Sequence, residues 1–279
     1  MLLKGKVGPV NLSKQAELPV NALFLAVLTT SIEDMSVSSS RKPSTNYSPS
    51  GLNCIRQMYY KRVCTPPDKE PCSYMDVGMS DTGTRRHEAI QQVLLWMNTQ
   101  NKRFVYIDVA TYIQEKQKRG KCLNIVVQGT FGAETALYDK ERKVAFRCDG
   151  IIYDTVGKKF YLFEFKNQIS FKAAGKQSVD SVHHNQVVTY CALLDLDSAF
   201  VVYENRDTCE LYCPEVYEVS EYDKQQVLNK IDTCESYVKK GQPPAVPSDS
   251  VSSGSCKWCI YKRTCAADAQ KEAEVNANG

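Results

Sequence analysis

Residues 144–168, VAFRCDGIIYDTVGKKFYLFEFKNQ, constrain the fold of this chain more than any other segment. The second half alternates with a period of two, so Glu164 and Lys166 share one face of a β-strand and Phe165 lies on the other. The Asp-Thr-Val-Gly sequence between the halves is a turn signal. The segment therefore predicts a β-hairpin.

The position of the turn sets the register of this hairpin. If the turn is centred on its Val-Gly pair, Asp149 lies opposite Glu164 and Arg147 lies opposite Lys166. We therefore expect one apolar face and a second face that carries two carboxylates and an ammonium group.

Two neighbouring carboxylates need a partner, because at about 4 Å they repel by roughly 4 kcal/mol at an effective dielectric constant of about 20. Mg²⁺ or Mn²⁺, which prefer hard oxygen ligands, would remove this cost and could support phosphodiester hydrolysis. Lys166 could hold the attacking water or stabilise the transition state. The alternative is a solvated strand face with a weak cross-strand ion pair.

Composition sets wider bounds. The 279 residues suffice for one large domain or two small ones, and the net charge of +3 is too small to indicate a nucleic-acid partner by itself. The apolar run at residues 20–28 is too short to span a bilayer and predicts a core helix or an attachment segment. No signal peptide is evident, so the 12 cysteines indicate metal binding in a reducing cytoplasm rather than disulfides.

Residues 81–98 have the apolar spacing of a helix. His87 lies in its first turns and follows Arg85 and Arg86, which could contact phosphate or simply be surface charge. A lone histidine is more often structural than a metal ligand, so both roles of His87 stay open.

Residues 178–194 also have helical spacing and place Gln186 and Tyr190 on one face, which equally suits a buried tyrosine beside a surface glutamine. Further strands are expected at residues 104–107, 123–128, 133–138, 199–204 and 215–219. Glu134 receives no role, since only its position suggests one. Residues 222–240 predict an amphipathic helix, and the tail after Cys265 is expected to be frayed.

Cys256, Cys259 and Cys265 form a tight local chelate. Three thiolates suit zinc or an iron–sulfur cluster about equally, and a fourth ligand must come from elsewhere. Lys262 and Arg263 lie inside this loop with aromatic neighbours, where they could bind a single nucleic-acid strand or pack over the metal.

The sequence resembles the PD-(D/E)XK nuclease superfamily. Asp149 and the triplet Glu164-Phe165-Lys166 match its D…(D/E)-x-K core, with Cys148 in place of the proline. The upstream histidine, the Gln-x-x-x-Tyr pair and a four-cysteine set resemble its RecB-like branch. The closest similarity is to the iron–sulfur exonucleases of CRISPR adaptation (the fourth Cas protein) and their phage-encoded relatives, over roughly residues 48–265.

The resemblance implies a role for each matching residue. The implied ligands of one or two Mg²⁺ or Mn²⁺ ions are His87, Asp149, Glu164 and the backbone carbonyl of Phe165. Lys166 would orient the attacking water, while Gln186 and Tyr190 would support the DNA. Cys54 would complete a [4Fe–4S] site with Cys256, Cys259 and Cys265, in which zinc is the alternative occupant.

We therefore predict an α/β fold, with a restriction-endonuclease-like mixed sheet flanked by helices and a four-cysteine subdomain that joins the N- and C-terminal parts. The expected segments are 1–50 (N-terminal segment and linker), 51–82 (first part of the iron–sulfur subdomain), 83–241 (nuclease core) and 242–279 (linker, cysteine loop and tail).

The resemblance implies a cytoplasmic, metal-dependent DNA exonuclease that prefers single-stranded ends, with a recombinase, helicase or CRISPR-adaptation protein as a candidate partner. One alternative is a non-catalytic module with the same fold that binds DNA ends or a partner protein. Another is a zinc-ribbon-like interaction protein without activity.

Overall fold

A mixed β-sheet of six strands forms the centre of the fold in a computed structural model of the chain. The structure describes residues 20–38, 44–68, 73–100, 102–121, 123–131, 134–169, 178–247, 256 and 259–278. The chain divides into two compact units, which are Met1–Lys42 with Glu70–Thr84 and Pro43–Lys69 with Arg85–Gly279.

The helices of the described residues are α1 (Val20–Ser38), α2 (Ile55–Arg62), α3 (Tyr74–Gln100), α4 (Val109–Lys118), α5 (Ser181–Leu194), α6 (Glu221–Lys240) and α7 (Lys262–Asn278). The strands are β1 (Phe104–Ile107), β2 (Ile125–Phe131), β3 (Glu134–Asp139), β4 (Val144–Cys148), β5 (Gly150–Asp154), β6 (Lys159–Gln168), β7 (Ser198–Asn205), β8 (Leu211–Tyr212) and β9 (Tyr217–Glu218).

In the first unit, the described residues belong to α1 and to the start of α3. Apolar side chains of α1 are exposed, Phe24 by 67%, so the first alternative for residues 20–28, a core helix, is wrong. The second alternative, an attachment segment, stays a prediction. None of the described helices combines the length and apolar character that crossing a bilayer requires.

The second unit holds both sheets. The six-stranded sheet has the order β1-β5-β6-β7-β8, with β9 also paired to β7. Strands β6 and β7 are parallel and the other pairs are antiparallel. A separate antiparallel sheet has the order β2-β3-β4. The predicted α/β class with a mixed sheet flanked by helices is therefore confirmed.

The large sheet is buried on both faces, as its alternating apolar residues require. Leu162 on β6 belongs to the core that also contains residues of α5 and α6. Phe163 and Phe165 belong to a second core with Leu94 of α3. The predicted wholly polar face of β6 is therefore absent, and the polar residues Glu164 and Lys166 lie in the carboxyl-terminal half of the strand.

The predicted hairpin register is confirmed for β5 and β6, where Gly150 pairs with Phe163 and Asp154 with Lys159. The prediction that Arg147 lies opposite Lys166 is wrong. The extended segment breaks at Asp149, so β4 leaves the large sheet and pairs with β3.

Gly150 makes this break possible. Its φ of +151° is one that side-chain-bearing residues rarely adopt, and a Cβ there would lie 2.2 Å from the Tyr106 ring. Glycine therefore allows the chain to turn the corner between the two sheets beside Asp149.

Two helices that are distant in the sequence, α2 and α7, contact each other in the second unit. Arg56 of α2 forms hydrogen bonds with both carboxylate oxygens of Glu272 in α7, each at 3.1 Å. Tyr60 donates to Asp268 at 2.8 Å. The tail after Cys265, expected to be frayed, is instead part of α7, and its residues Asp268 and Glu272 accept these hydrogen bonds from α2.

Candidate active site

Asp149 occupies the corner between β4 and β5 and is only 5% exposed. Its Oδ2 accepts the backbone N–H of Phe165 at 2.7 Å. Its backbone carbonyl accepts from Gln91 Nε2 and from the Tyr106 hydroxyl, each at 3.1 Å. These bonds fix both the main chain and the carboxylate of Asp149.

His87 of α3 lies beside this carboxylate, with Nδ1 3.0 Å from Oδ1 of Asp149. Burial alone would lower the pKa of His87, but the hydrogen bond and the charge of Asp149 outweigh burial and raise this pKa. A neutral His87 that donates from Nδ1 keeps a lone pair on Nε2, which can bind a metal.

Glu134 joins these two residues. Ligand atoms of His87, Glu134 and Asp149 all lie within 4.8 Å of one another. In the β3–β4 ladder Thr135 pairs with Cys148, so the next position outward places Glu134 opposite Asp149. Sequence reasoning gave Glu134 no role, although a hairpin register for β3 and β4 would have indicated one.

Glu164 is 3% exposed, so the alternative of a solvated strand face is wrong for this residue. Its Oε1 accepts from Lys166 Nζ at 2.6 Å and from Gln186 Nε2 at 2.8 Å. Oε2 is buried without a hydrogen-bond partner among the described atoms. Burial raises the pKa of Glu164 to about 7, and the charge of Asp149 adds to this effect while Lys166 opposes it.

Lys166 and the Gln-x-x-x-Tyr pair form one hydrogen-bonded chain. Lys166 Nζ donates to Gln186 Oε1 at 3.0 Å, and Gln186 Nε2 lies 3.0 Å from the Tyr190 hydroxyl. Tyr190 is 4% exposed and packs against Phe146, and burial raises its pKa well above the usual value. The pair therefore holds Lys166 and Glu164 in place from α5.

The donor set fits a hard divalent cation. Asp149 lies at the corner, with Glu134 on β3 and Glu164 on β6 as acidic neighbours, and one carboxylate oxygen of Glu164 is buried and unsatisfied. Carboxylate oxygens with one imidazole suit Mn²⁺ or Mg²⁺. Among the described residues, Glu164 does not belong to the group of His87, Glu134 and Asp149 whose ligand atoms lie within 4.8 Å of one another. The role of the Phe165 carbonyl as a metal ligand stays a prediction.

Apart from Tyr190, which is buried, the residues predicted to contact DNA lie in two places. Arg85 is exposed on α3, while the neighbouring Arg86 forms an ion pair with Glu204 at 2.5 Å. Lys262 and Arg263 are exposed at the start of α7. Their contact with DNA stays a prediction.

The four predicted cluster cysteines are each half-buried. Burial raises the pKa of Cys265, and the nearby thiols of Cys54, Cys259 and Cys256 raise it further, against an opposing effect of Arg56. The four thiols are thus close enough to interact electrostatically. In the described part of the chain, no three cysteine sulfurs lie within 4.8 Å of one another.

No protein-family model matches the sequence, and no curated protein matches it. Among solved structures, the chain is similar to that of SSO0001, with 16% identity, a TM-score of 0.45, and coverage of 88% of this chain and 97% of that chain.

Two structures of an alkaline exonuclease (LHK-Exo) from Laribacter hongkongensis are also similar. The complex with dAMP has 10% identity and a TM-score of 0.42, and the match covers 71% of this chain and 89% of that one. The other has 10% identity and a TM-score of 0.43, with coverage of 76% and 94%. Similarities of this size do not assign the chain a family or an activity.

Proposed function

We propose that this protein is a metal-dependent nuclease that hydrolyses phosphodiester bonds of DNA, with single-stranded ends as the preferred substrate. The observation that carries this proposal is the corner at Asp149. Two ladders place Glu134 on one side of it and Glu164 on the other, and Lys166 is hydrogen-bonded to Glu164.

Different residues would bind the metal ion and orient the attacking water. Glu134, Asp149 and His87 would hold Mg²⁺ or Mn²⁺, with the unsatisfied oxygen of Glu164 as a further donor. When bound, the cation would neutralise the carboxylates and the negative charge that develops on the phosphate.

Lys166 would orient the attacking water. Its ammonium group has three N–H donors, of which Glu164 and Gln186 each accept one, so a third can hold a water molecule. The hydrogen bond to Gln186 keeps the lysine directed at the site, which lowers the entropy cost of placing the nucleophile.

We propose further that Cys54, Cys256, Cys259 and Cys265 bind a [4Fe–4S] cluster. The four thiols are close enough for Cys54, Cys256 and Cys259 to raise the pKa of Cys265, which supports one shared metal site. The choice of a cluster over zinc rests on the resemblance, because thiolates bind either.

The described cysteines are all free thiols, and three of them, Cys64, Cys209 and Cys213, are exposed. This supports the proposed reducing, cytoplasmic setting. A recombinase, helicase or CRISPR-adaptation protein stays the proposed class of protein partner.

The deciding experiment is digestion of 5′- and 3′-labelled DNA, single- and double-stranded, with anaerobically purified protein and Mn²⁺. Lys166→Ala should lower the cleavage rate by about 10²-fold or more. Lys239→Ala removes an exposed lysine on α6 and should cut like the wild type. Equal cutting by both variants would overturn the mechanism, and intact DNA with tight binding would support a non-catalytic module.

A further inference from the structure

Four polar side chains form a hydrogen-bonded chain across the carboxyl ends of the two parallel strands. They are Arg86, Glu204, Asn167 and Arg206. Asn167 and Glu204 are partners in the β6–β7 ladder. Arg86 precedes His87 on α3, and Asn167 follows Lys166 on β6. Successive side chains of a strand face opposite sides of its sheet, so Asn167 and Lys166 share the carboxyl end of β6 but not its face. The chain of contacts therefore lies at the same end of the sheet as Lys166.

Glu204 is the buried centre of this arrangement, with 1% exposure. Arg86 Nε lies 2.7 and 2.8 Å from its two carboxylate oxygens, and Asn167 Nδ2 donates to Oε2 at 2.7 Å. A buried carboxylate needs such partners. The charges of Arg86 and Glu204 cancel.

Arg206 is held differently, by a neutral partner. Its Nε donates to Asn167 Oδ1 at 2.6 Å, and its Nη2 donates to the Asn167 carbonyl at 3.3 Å. Its backbone N–H donates to the carbonyl of Gln168 at 2.7 Å. None of the described carboxylates forms an ion pair with Arg206, so its positive charge is not compensated.

A structural ion pair would need only Arg86 and Glu204. The additional anchoring of a charged guanidinium by an amide costs side-chain entropy and neutralises nothing. Such an arrangement suits a cation that is pre-positioned for an anion from outside, and a guanidinium matches the geometry of a phosphate.

We propose that Arg206 binds a phosphodiester of the substrate strand at this end of the sheet. This proposal rests on the proposed nuclease function for the identity of the strand. Asn167 and Glu204 act as positioning residues, because Glu204 orients the Asn167 amide and the amide orients Arg206.

The test is the affinity for a fluorescent single-stranded oligonucleotide in EDTA, measured by anisotropy over a salt series. Arg206→Ala should weaken binding about tenfold, as expected for one charged hydrogen-bonding contact. It should also reduce the slope of log K against log salt by about 0.7, the value for one phosphate contact on a single strand.

Two further variants separate charge from position. Arg206→Lys should keep the salt slope, because the charge remains, and lose part of the affinity, because an ammonium cannot make the forked contact. Asn167→Ala should likewise keep the slope and weaken binding. Oligonucleotides with a 5′-phosphate and with a 5′-hydroxyl should respond equally, whereas a terminal-phosphate site would show the loss only for the former and would overturn the proposed phosphodiester contact.

Arg119→Ala is the matched control, since Arg119 is an exposed arginine at the end of α4. It should bind like the wild type. An affinity and slope for Arg206→Ala equal to those of the control would overturn the phosphate site, as would wild-type protein that does not bind. If a thermal melt shows that Arg206→Ala does not fold, the affinity of Arg206→Lys tests the proposal instead. A partial loss of affinity would support the phosphate site, and wild-type affinity would overturn it.

The two proposals fail separately. Wild-type protein that binds with the expected salt slope but does not cut in Mn²⁺ would end the nuclease proposal and keep the phosphate site. Cutting by the wild type, with binding unchanged in Arg206→Ala, would end the phosphate site and keep the nuclease.

Discussion

Glu164 is the residue of the site whose ionisation is least favourable in the folded protein. The carboxyl group is almost fully buried, has one oxygen without a partner, and has a pKa raised to about 7 by burial. A group in this state destabilises the folded protein when it ionises, and a bound cation relieves that cost.

Glu164→Gln should therefore change how stability depends on pH in EDTA. Because the folded pKa is raised, the protonated carboxyl contributes stability below the unfolded pKa near 4.5, and this contribution is lost as the pH rises through about 7. At pH 8 the variant should be more stable than the wild type by up to about 3 kcal/mol, and near pH 5 the gap should be small.

Chemical denaturation between pH 5 and pH 8 measures this difference. Saturating Mn²⁺ should stabilise the wild type more than the variant. Glu141→Gln, which changes an exposed turn glutamate, should follow the wild type at every pH. If the free energy of unfolding depends on pH in the same way for the wild type and for Glu164→Gln, ionisation of Glu164 does not destabilise the folded protein.

Glu134 can be tested without activity. Glu134→Gln should weaken Mn²⁺ binding by at least the roughly 10–100-fold that loss of an outer-shell partner costs, because it removes a charged ligand from the group with His87 and Asp149. Isothermal titration with metal-free protein measures this affinity. Glu141→Gln on the same hairpin is the control, and equal affinities would exclude Glu134 as a ligand.

At the scale of elements, the site depends on one break between two strands. β4 and β5 are consecutive in the chain but belong to different sheets, and Asp149 is the residue between them. The small sheet supplies Glu134 and the large sheet supplies Glu164 as neighbours of Asp149. The corner therefore brings acidic residues from two separate sheets together. Gly150 is the residue that permits the corner.

Gly150→Ala should destabilise the fold by about 2–5 kcal/mol, through a strained φ and a clash with the Tyr106 ring. Gly120→Ala is a matched control, because Gly120 also has a positive φ of +79° but nothing within 4 Å of a Cβ. It should cost about 1 kcal/mol. Thermal denaturation measures both, and similar losses would mean that the approach of Tyr106 has no energetic importance.

At the scale of the whole molecule, contacts between α2 and α7 join distant parts of the chain. Arg56 is fully buried and forms hydrogen bonds with Glu272, Tyr60 and the carbonyl of Pro244. Cys54 immediately precedes α2 and Cys265 lies in α7, so these contacts also position two of the proposed cluster ligands.

Arg56→Met should destabilise the protein by roughly 1–3 kcal/mol, because the Pro244 carbonyl and the Tyr60 hydroxyl lose a charged donor. Iron per chain after anaerobic purification should fall in parallel. Glu274→Gln changes an exposed glutamate of the same helix that is hydrogen-bonded to Gln270, and it should leave both readouts close to those of the wild type. Unchanged iron content in a destabilised Arg56→Met protein would separate the cysteine site from this contact.

The sequence by itself determined the α/β class, the β5–β6 register and the closeness of Lys166 to Glu164. Each of these follows from alternation along a strand or from a turn, which are local properties of the chain. Tertiary structure alone decided that Arg147 leaves the large sheet, that Glu134 joins His87 and Asp149, and that Glu164 is buried. These depend on how a second sheet and α3 pack around one corner, and a periodic pattern carries no information about packing between elements that are distant in the chain.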